Sequence, residues 1–149
     1  MIKFNLDNRV AIVTGGAQGF GLSITERFIN SGAKVIIWDI DENECKKAIE
    51  KINSKNCSFE IVDVQQIENV QSKLKEIEKK FGKIDIFINN AGIAGKNTSV
   101  ADYPEEEWSK VIDLNLNAIF YCCKSVVPFM IKNKYGRIVN IASIAGKEG

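Results

Sequence analysis

Residues 14–21 read Thr-Gly-Gly-Ala-Gln-Gly-Phe-Gly, with glycines at 15, 19 and 21. They follow a short apolar run and open a helix-periodic stretch, and that context gives the glycines a chemical use. Glycine lets the backbone turn tightly and come close to a phosphate, while the first turn of the following helix offers unpaired N–H groups and the positive end of its dipole. The chemistry implied is pyrophosphate binding. Asp39 closes the next apolar run, about 20 residues after Gly19, where a carboxylate accepts hydrogen bonds from a ribose diol. A 2′-phosphate would set a second negative charge against Asp39, and Ala17 and Gln18 in the loop supply no compensating cation. The ligand expected from these residues is therefore NAD rather than NADP.

A third group, Asn89-Asn90-Ala91-Gly92, ends another apolar run. In a parallel sheet it would lie beside the glycine-rich loop, across the point where the strand order reverses and where dinucleotides bind.

Other chemistries are excluded by what the chain lacks. It contains no histidine, which removes Ser-His-Asp and Cys-His catalysis from these 149 residues. Its 20 basic and 19 acidic residues nearly cancel, so there is no electrostatic footprint for nucleic acid or an anionic membrane. The four cysteines, at 45, 57, 122 and 123, form no C-x-x-C pair, and residues 1–5 show no signal-peptide core. These features are read as reduced thiols in a cytoplasmic protein. No uninterrupted apolar run reaches the ~18 residues of a membrane span.

The elements that must position these residues are legible as alternation. Five short β-rich runs, at 9–14, Lys34–Asp39, 57–62, 84–89 and 137–142, are separated by longer helix-periodic stretches. Gly19–Asn30 reads as a helix closed by Ser31-Gly32, and Asp41 as the N-cap of a helix to about residue 53. Ile67, Val70, Leu74, Ile77 and Phe81 recur at spacings of three and four before Gly82, one amphipathic helix with its stop. Pro104 and three following glutamates suit a helix N-terminus. The stretch from there to about Lys132 is expected to be helical, with a bend near 115–117 and a second candidate at Pro128. The fold class expected is α/β, a Rossmann-like doubly wound parallel sheet of order 3-2-1-4-5 in a single domain over 1–149, with strand five as an exposed edge.

The T-G-x-x-x-G-x-G spacing, together with Asn89-Asn90-Ala91-Gly92 at the end of the fourth strand, closely resembles the short-chain dehydrogenase/reductase family, over the whole chain and in the right order. The resemblance implies a cofactor site built from Gly15, Gly19, Phe20, Gly21, Asp39, Asn89, Ala91 and Gly92, with Asp63 and Val64 flanking the adenine. It also places Asn115 at the family's catalytic asparagine and Ser143 at its serine. In that family a tyrosine moves the substrate's proton, a lysine four positions later lowers its pKa, the serine orients the substrate oxygen and the asparagine supports a water relay. Tyr103, Tyr121 and Tyr135 are followed four positions later by Glu107, Ser125 and Val139, so none matches Tyr-x-x-x-Lys. The chain is thus expected to be the amino-terminal portion of the family fold, ending before that pair and inactive by itself. Its parent is expected to be a homo-oligomer, dimer or tetramer, acting on a small alcohol or carbonyl. A 3-oxoacyl-[acyl-carrier-protein] reductase is the alternative within the fold, and a non-catalytic nucleotide-binding or interaction module the alternative outside enzymology.

Overall fold

A computed structural model describes residues 4–148, with Glu148 by its backbone alone. Residues 1–3, part of the stretch read for a leader, lie outside the described residues. The elements run in chain order: β1 (Val10–Thr14), α1 (Gly19–Asn30), β2 (Lys34–Asp39), α2 (Glu42–Ile52), β3 (Cys57–Ile61), α3 (Ile67–Phe81) and β4 (Ile86–Asn89). After them come α4 (Glu105–Ile112), α5 (Ala118–Lys132), β5 (Arg137–Asn140) and a last helical turn, α6 (Ala145–Glu148). All strand pairings are parallel, as the alternation of elements predicts, and the sheet order is β3-β2-β1-β4-β5, the order expected of the doubly wound fold.

The central strands are apolar on both faces because helices cover both. On β1, Val10 and Ile12 enter the core formed with Val70, Leu74 and Ile77 of α3 and Cys122, Val126 and Met130 of α5. Ala11 and Val13, one residue out of phase, pack with Ile24, Phe28 and Ile29 of α1. The Cys45–Ala48 side of α2 closes over Ile37 of β2. Asp85, 2% exposed, pins the start of β1 to β4 by accepting from the Val10 N–H at 2.9 Å and from Arg9 Nη1 at 3.0 Å.

The helix ends follow local chemistry. Asp41 accepts from the Glu44 N–H at 3.0 Å and caps α2, and Gly82 ends α3 with φ +78°. The expected bend near 115–117 takes the form of a π-helical turn at Asp113–Asn117, which joins α4 to α5 without a break in the helical run. Pro128 does not end the helix; α5 continues through it to Lys132. The run Glu105–Lys132 therefore reaches 28 residues, with an 18-residue window of mean hydropathy 1.4, long and apolar enough to cross a bilayer by length and composition. In this fold its Ala118, Cys122, Val126 and Met130 face is buried in the core. At the far edge β5 pairs, among the described residues, with β4 alone, and Val139 is 45% exposed.

Burial sets the cysteine chemistry. It is the main cause that pushes the thiols of Cys45 and Cys122 up to about 12 and that of Cys57 up to about 11, from an ordinary 9.0; Asp39 and Asp41 add to the shift at Cys45. All four thiols are free. In the unfolded chain the same groups ionise near 9, so above that pH the unfolded state sheds protons that the folded state retains. Their contribution to stability is whole below pH 9 and is lost as pH rises toward 11–12. The urea midpoint should fall between pH 8 and pH 10.5, and at pH 8 a thiol reagent should label the half-buried Cys123 well before the other three. Equal labelling of all four in the native chain would contradict this burial.

Candidate functional site

Parallel strands all end at the same edge of the sheet, so the loops after β1, β2, β3 and β4 meet there. They enclose a cleft of about 350 Å3, lined by Gly15 and Gln18 after β1, Asp39 and Ile40 at the end of β2, Val62 to Gln65 after β3, and Asn90 to Ile93 after β4. Trp38 and Leu114 complete the lining. Trp38 is fully buried and meets Phe87 edge-on, with ring centroids 5.5 Å apart.

The glycine-rich loop owes its shape to close backbone approach. A Cβ on Gly21 would run into the Gly15 carbonyl oxygen and lie 2.6 Å from Asn90 Nδ2. Gly19, at the start of α1, holds φ +54° in open space, so its need is conformational rather than steric. The loop is fixed from the other side by Thr14, 1% exposed, whose hydroxyl accepts from the backbone N–H of Asn90 and of Ala91, each at 3.0 Å. Asn90 returns the contact through Nδ2, which donates to the carbonyls of Thr14 at 3.0 Å and Gly15 at 3.1 Å. Phe20 is 64% exposed at the first turn of α1, and neither it nor Gly19 or Gly21 is among the residues lining the cleft.

Asp39 is 9% exposed. Its Oδ1 accepts from the Ile40 and Asp41 N–H groups at 2.9 and 3.2 Å, and its Oδ2 from the Ala17 N–H at 3.3 Å. Three backbone donors thus aim one carboxylate at the cleft and tie it to the glycine-rich loop. Among the described residues, no lysine or arginine lines the cleft. Asp63 and Val64 also line it, and the Asp63 Oδ1 accepts from the Gln65 N–H at 3.0 Å, a local turn contact.

The motif at the end of β4 places Asn89 at this site together with Ala91 and Gly92, and here the geometry differs. Successive side chains of a strand and its continuation point to opposite sides. Asn89, 3% exposed, donates through Nδ2 to Asn140 Oδ1 of β5 at 2.8 Å and does not line the cleft. Asn90 does line it; the motif alone does not say which amide turns inward.

The two residues matched to the reaction lie at the same edge. Asn115, inside the π-helical turn, donates through Nδ2 to the Ile93 carbonyl at 2.7 Å and accepts through Oδ1 from the Ile93 N–H at 2.9 Å. It holds the loop after β4 in place, with one amide hydrogen left over. The π-turn is what reaches there, consistent with such bulges marking functional positions. Ser143, exposed three residues past β5, accepts from the Ala145 N–H at 3.2 Å. Its own proton stays free to donate, because a hydroxyl has two lone pairs and one hydrogen.

Comparison with known proteins bears on the family and the fold. The family model described as short chain dehydrogenase matches residues 9–149. The chain is 43% identical over 141 residues to 2-dehydro-3-deoxy-L-rhamnonate dehydrogenase (NAD(+)) of Sphingomonas sp. (strain SKA58), covering 95% of this chain and 56% of that protein. It is 42% identical over 147 residues to a 3-oxoacyl-[acyl-carrier-protein] reductase of Chlamydia muridarum (strain MoPn / Nigg), covering 97% of this chain and 59% of that one. The crystal structure of NAD+-bound xylitol dehydrogenase superposes with a TM-score of 0.93 at 32% identity, over 98% of this chain and 57% of that chain. The chain thus spans less than two thirds of the length of these relatives. With its sheet order, its glycine-rich loop and these matches, the chain belongs to the short-chain dehydrogenase/reductase family.

Proposed function

We propose that the full-length protein is an NAD-dependent oxidoreductase that interconverts a small alcohol and its carbonyl compound in the cytoplasm, and that this chain is its cofactor-binding portion. The observation that carries the cofactor choice is Asp39, a carboxylate held by three backbone N–H groups in a cleft that no described lysine or arginine lines. A ribose diol donates to such a group, whereas a 2′-phosphate meets a like charge, a juxtaposition that costs several kcal/mol. The glycine-rich loop at the start of α1 fits the pyrophosphate, and Asp63 and Val64 stand where the adenine would lie. When bound, NAD supplies the hydride acceptor or donor. On the substrate side, Ser143 donates its free hydroxyl proton to the substrate oxygen, and Asn115 holds the loop after β4 against it and leaves one N–H for a water.

A 149-residue chain with no Tyr-x-x-x-Lys is expected to bind the cofactor without turnover. The parent is proposed to be a homo-oligomer, in keeping with Trp108, Phe120 and Ile131 exposed along α4 and α5 at 61%, 59% and 71%. Fluorescence titration of the chain with NADH and NADPH tests the central point. NADH should bind at least about tenfold more tightly, the ratio that ~1.4 kcal/mol gives. Equal or tighter NADPH binding would overturn the NAD assignment and favour the 3-oxoacyl-[acyl-carrier-protein] reductase reading, and no binding of either would overturn the cofactor site.

A further inference from the structure

The loop after β4 has no ladder to shape it. Residues 91–99 form neither helix nor strand, and among the described residues every hydrogen bond to 92–98 comes from one of two side chains. Asn115 takes both backbone groups of Ile93. Three residues on, the Lys96 N–H donates to the Tyr103 hydroxyl at 3.1 Å. That hydroxyl also fills the place of a side chain at Gly95. The glycine holds φ +75°, and a Cβ on it would run into the Tyr103 oxygen and lie 2.7 Å from Val111 Cγ2. Gly95 therefore serves a close approach as well as a left-handed torsion.

The two anchors stand at either end of one helix. Tyr103 precedes α4, Asn115 lies in the π-helical turn that follows it, and Val111 belongs to α4 itself. The hydrogen-bonded run between them fixes their separation, so the loop is gripped at two points and rides with α4. The anchors also divide the loop by what it borders. Gly92 and Ile93 line the cofactor cleft, whereas Ala94, Gly95 and Lys96 do not. With Ile93 and Glu107, those three line an adjoining cavity of about 560 Å3. Ile93 is the wall common to both spaces. Asn115 fixes that wall, and Tyr103 fixes the segment beyond it.

We propose that Tyr103 is a positioning residue for the substrate: its hydroxyl clasps Gly95 and Lys96, and so holds the wall against which the body of the alcohol or carbonyl compound packs. The proposal rests on the oxidoreductase reading above. A substrate whose reacting carbon lies at the cofactor has its remaining atoms outside the cleft, and the cavity across Ile93 adjoins it. Tyr103 does not line the cleft, so loss of its hydroxyl should weaken substrate binding and leave cofactor binding unchanged.

The test uses the full-length protein and a panel of polyols, sugar acids and 3-oxoacyl thioesters, with the fastest member used for all kinetics. Tyr103→Phe should raise KM for that substrate by about 3- to 10-fold, the worth of one hydrogen bond, while the dissociation constant for NADH moves less than about twofold. The Lys96 amide, followed by NMR, should exchange with deuterium faster than in the unmodified protein. Gly95→Ala should raise KM further, because its methyl meets the hydroxyl. Combined with Tyr103→Phe, it should do less harm than the product of the two separate effects. The hydroxyl is then gone and the ring carbon that bore it lies 3.8 Å away, although Val111 keeps the relief partial. A Tyr103→Phe protein with native KM overturns the proposal, and so does one with raised KM but unchanged Lys96 exchange. One in which KM, NADH affinity and melting temperature all worsen together overturns it as well, since that is general loosening. If Gly95→Ala does not fold, Tyr103→Phe alone decides. Should the unmodified protein turn over no member of the panel with either cofactor, the functional reading falls and takes the proposal with it; normal turnover with an indifferent Tyr103→Phe sinks the proposal alone.

Discussion

Gly21→Ala should weaken NADH binding by about 10- to 100-fold and lower the melting temperature by roughly 3–10 °C, as expected for overpacking that costs ~1–3 kcal/mol. The added methyl would meet the Gly15 carbonyl oxygen and approach Asn90 Nδ2 at 2.6 Å. Neither group can yield cheaply. The first is backbone in the glycine-rich loop, and the second is already hydrogen-bonded to the Thr14 and Gly15 carbonyls. Relief of the contact must open the loop away from β4, which is the movement that spoils a pyrophosphate cradle. Gly19→Asn is the informative companion, because Gly19 faces open space and needs only its left-handed backbone, which asparagine tolerates. Calorimetric titration of both variants with NADH should separate them clearly. If Gly21→Ala binds as tightly as the unmodified chain, the close approach does not shape the site.

The second large effect concerns the reaction. In the full-length protein, Ser143→Ala should lower kcat by about 100- to 1,000-fold, the scale seen when one preorganised donor to a developing oxyanion is removed. KM for NAD should change little, since Ser143 does not line the cleft. The substitution also deletes the contact from the Ala145 N–H to the Ser143 hydroxyl, a turn interaction worth ~1 kcal/mol. Ser143→Thr is the control, because it retains a hydroxyl for both roles and should keep most of kcat. Steady-state kinetics that show Ser143→Ala within about threefold of the unmodified kcat would remove Ser143 from the mechanism.

The shape of the candidate cofactor cleft was in part legible in the sequence for physical reasons. Glycines 15 and 19 are demanded by their left-handed torsions and Gly21 by the Gly15 carbonyl six residues before it, and Asp39 ends a strand whose N–H neighbours, Ile40 and Asp41, are adjacent in the chain. The exchange of Asn89 for Asn90 shows where that legibility stops. Both are asparagines at a strand end, and which amide faces the cleft depends on Thr14 and Asn140, 76 residues upstream of Asn90 and 51 downstream of Asn89. The role of Asn115 was hidden in the same way. Its partner is the backbone of Ile93, 22 residues distant, and the π-turn that brings them together was visible only as an expected bend.

By itself, then, the sequence determined the order of elements, their parallel pairing, the tight glycine-rich turn after β1 and the acidic residue beside it. Each of these depends on local periodicity, on a turn that only glycine makes, or on the rule that parallel strands end at one edge. Tertiary structure alone decided which side chains at that edge face the cleft, that Asn115 grips the backbone of the β4 loop, and that the Asn89 amide turns to Asn140 of β5. Those outcomes rest on hydrogen bonds between residues far apart in the chain, and a buried amide takes whatever partner packing brings within reach.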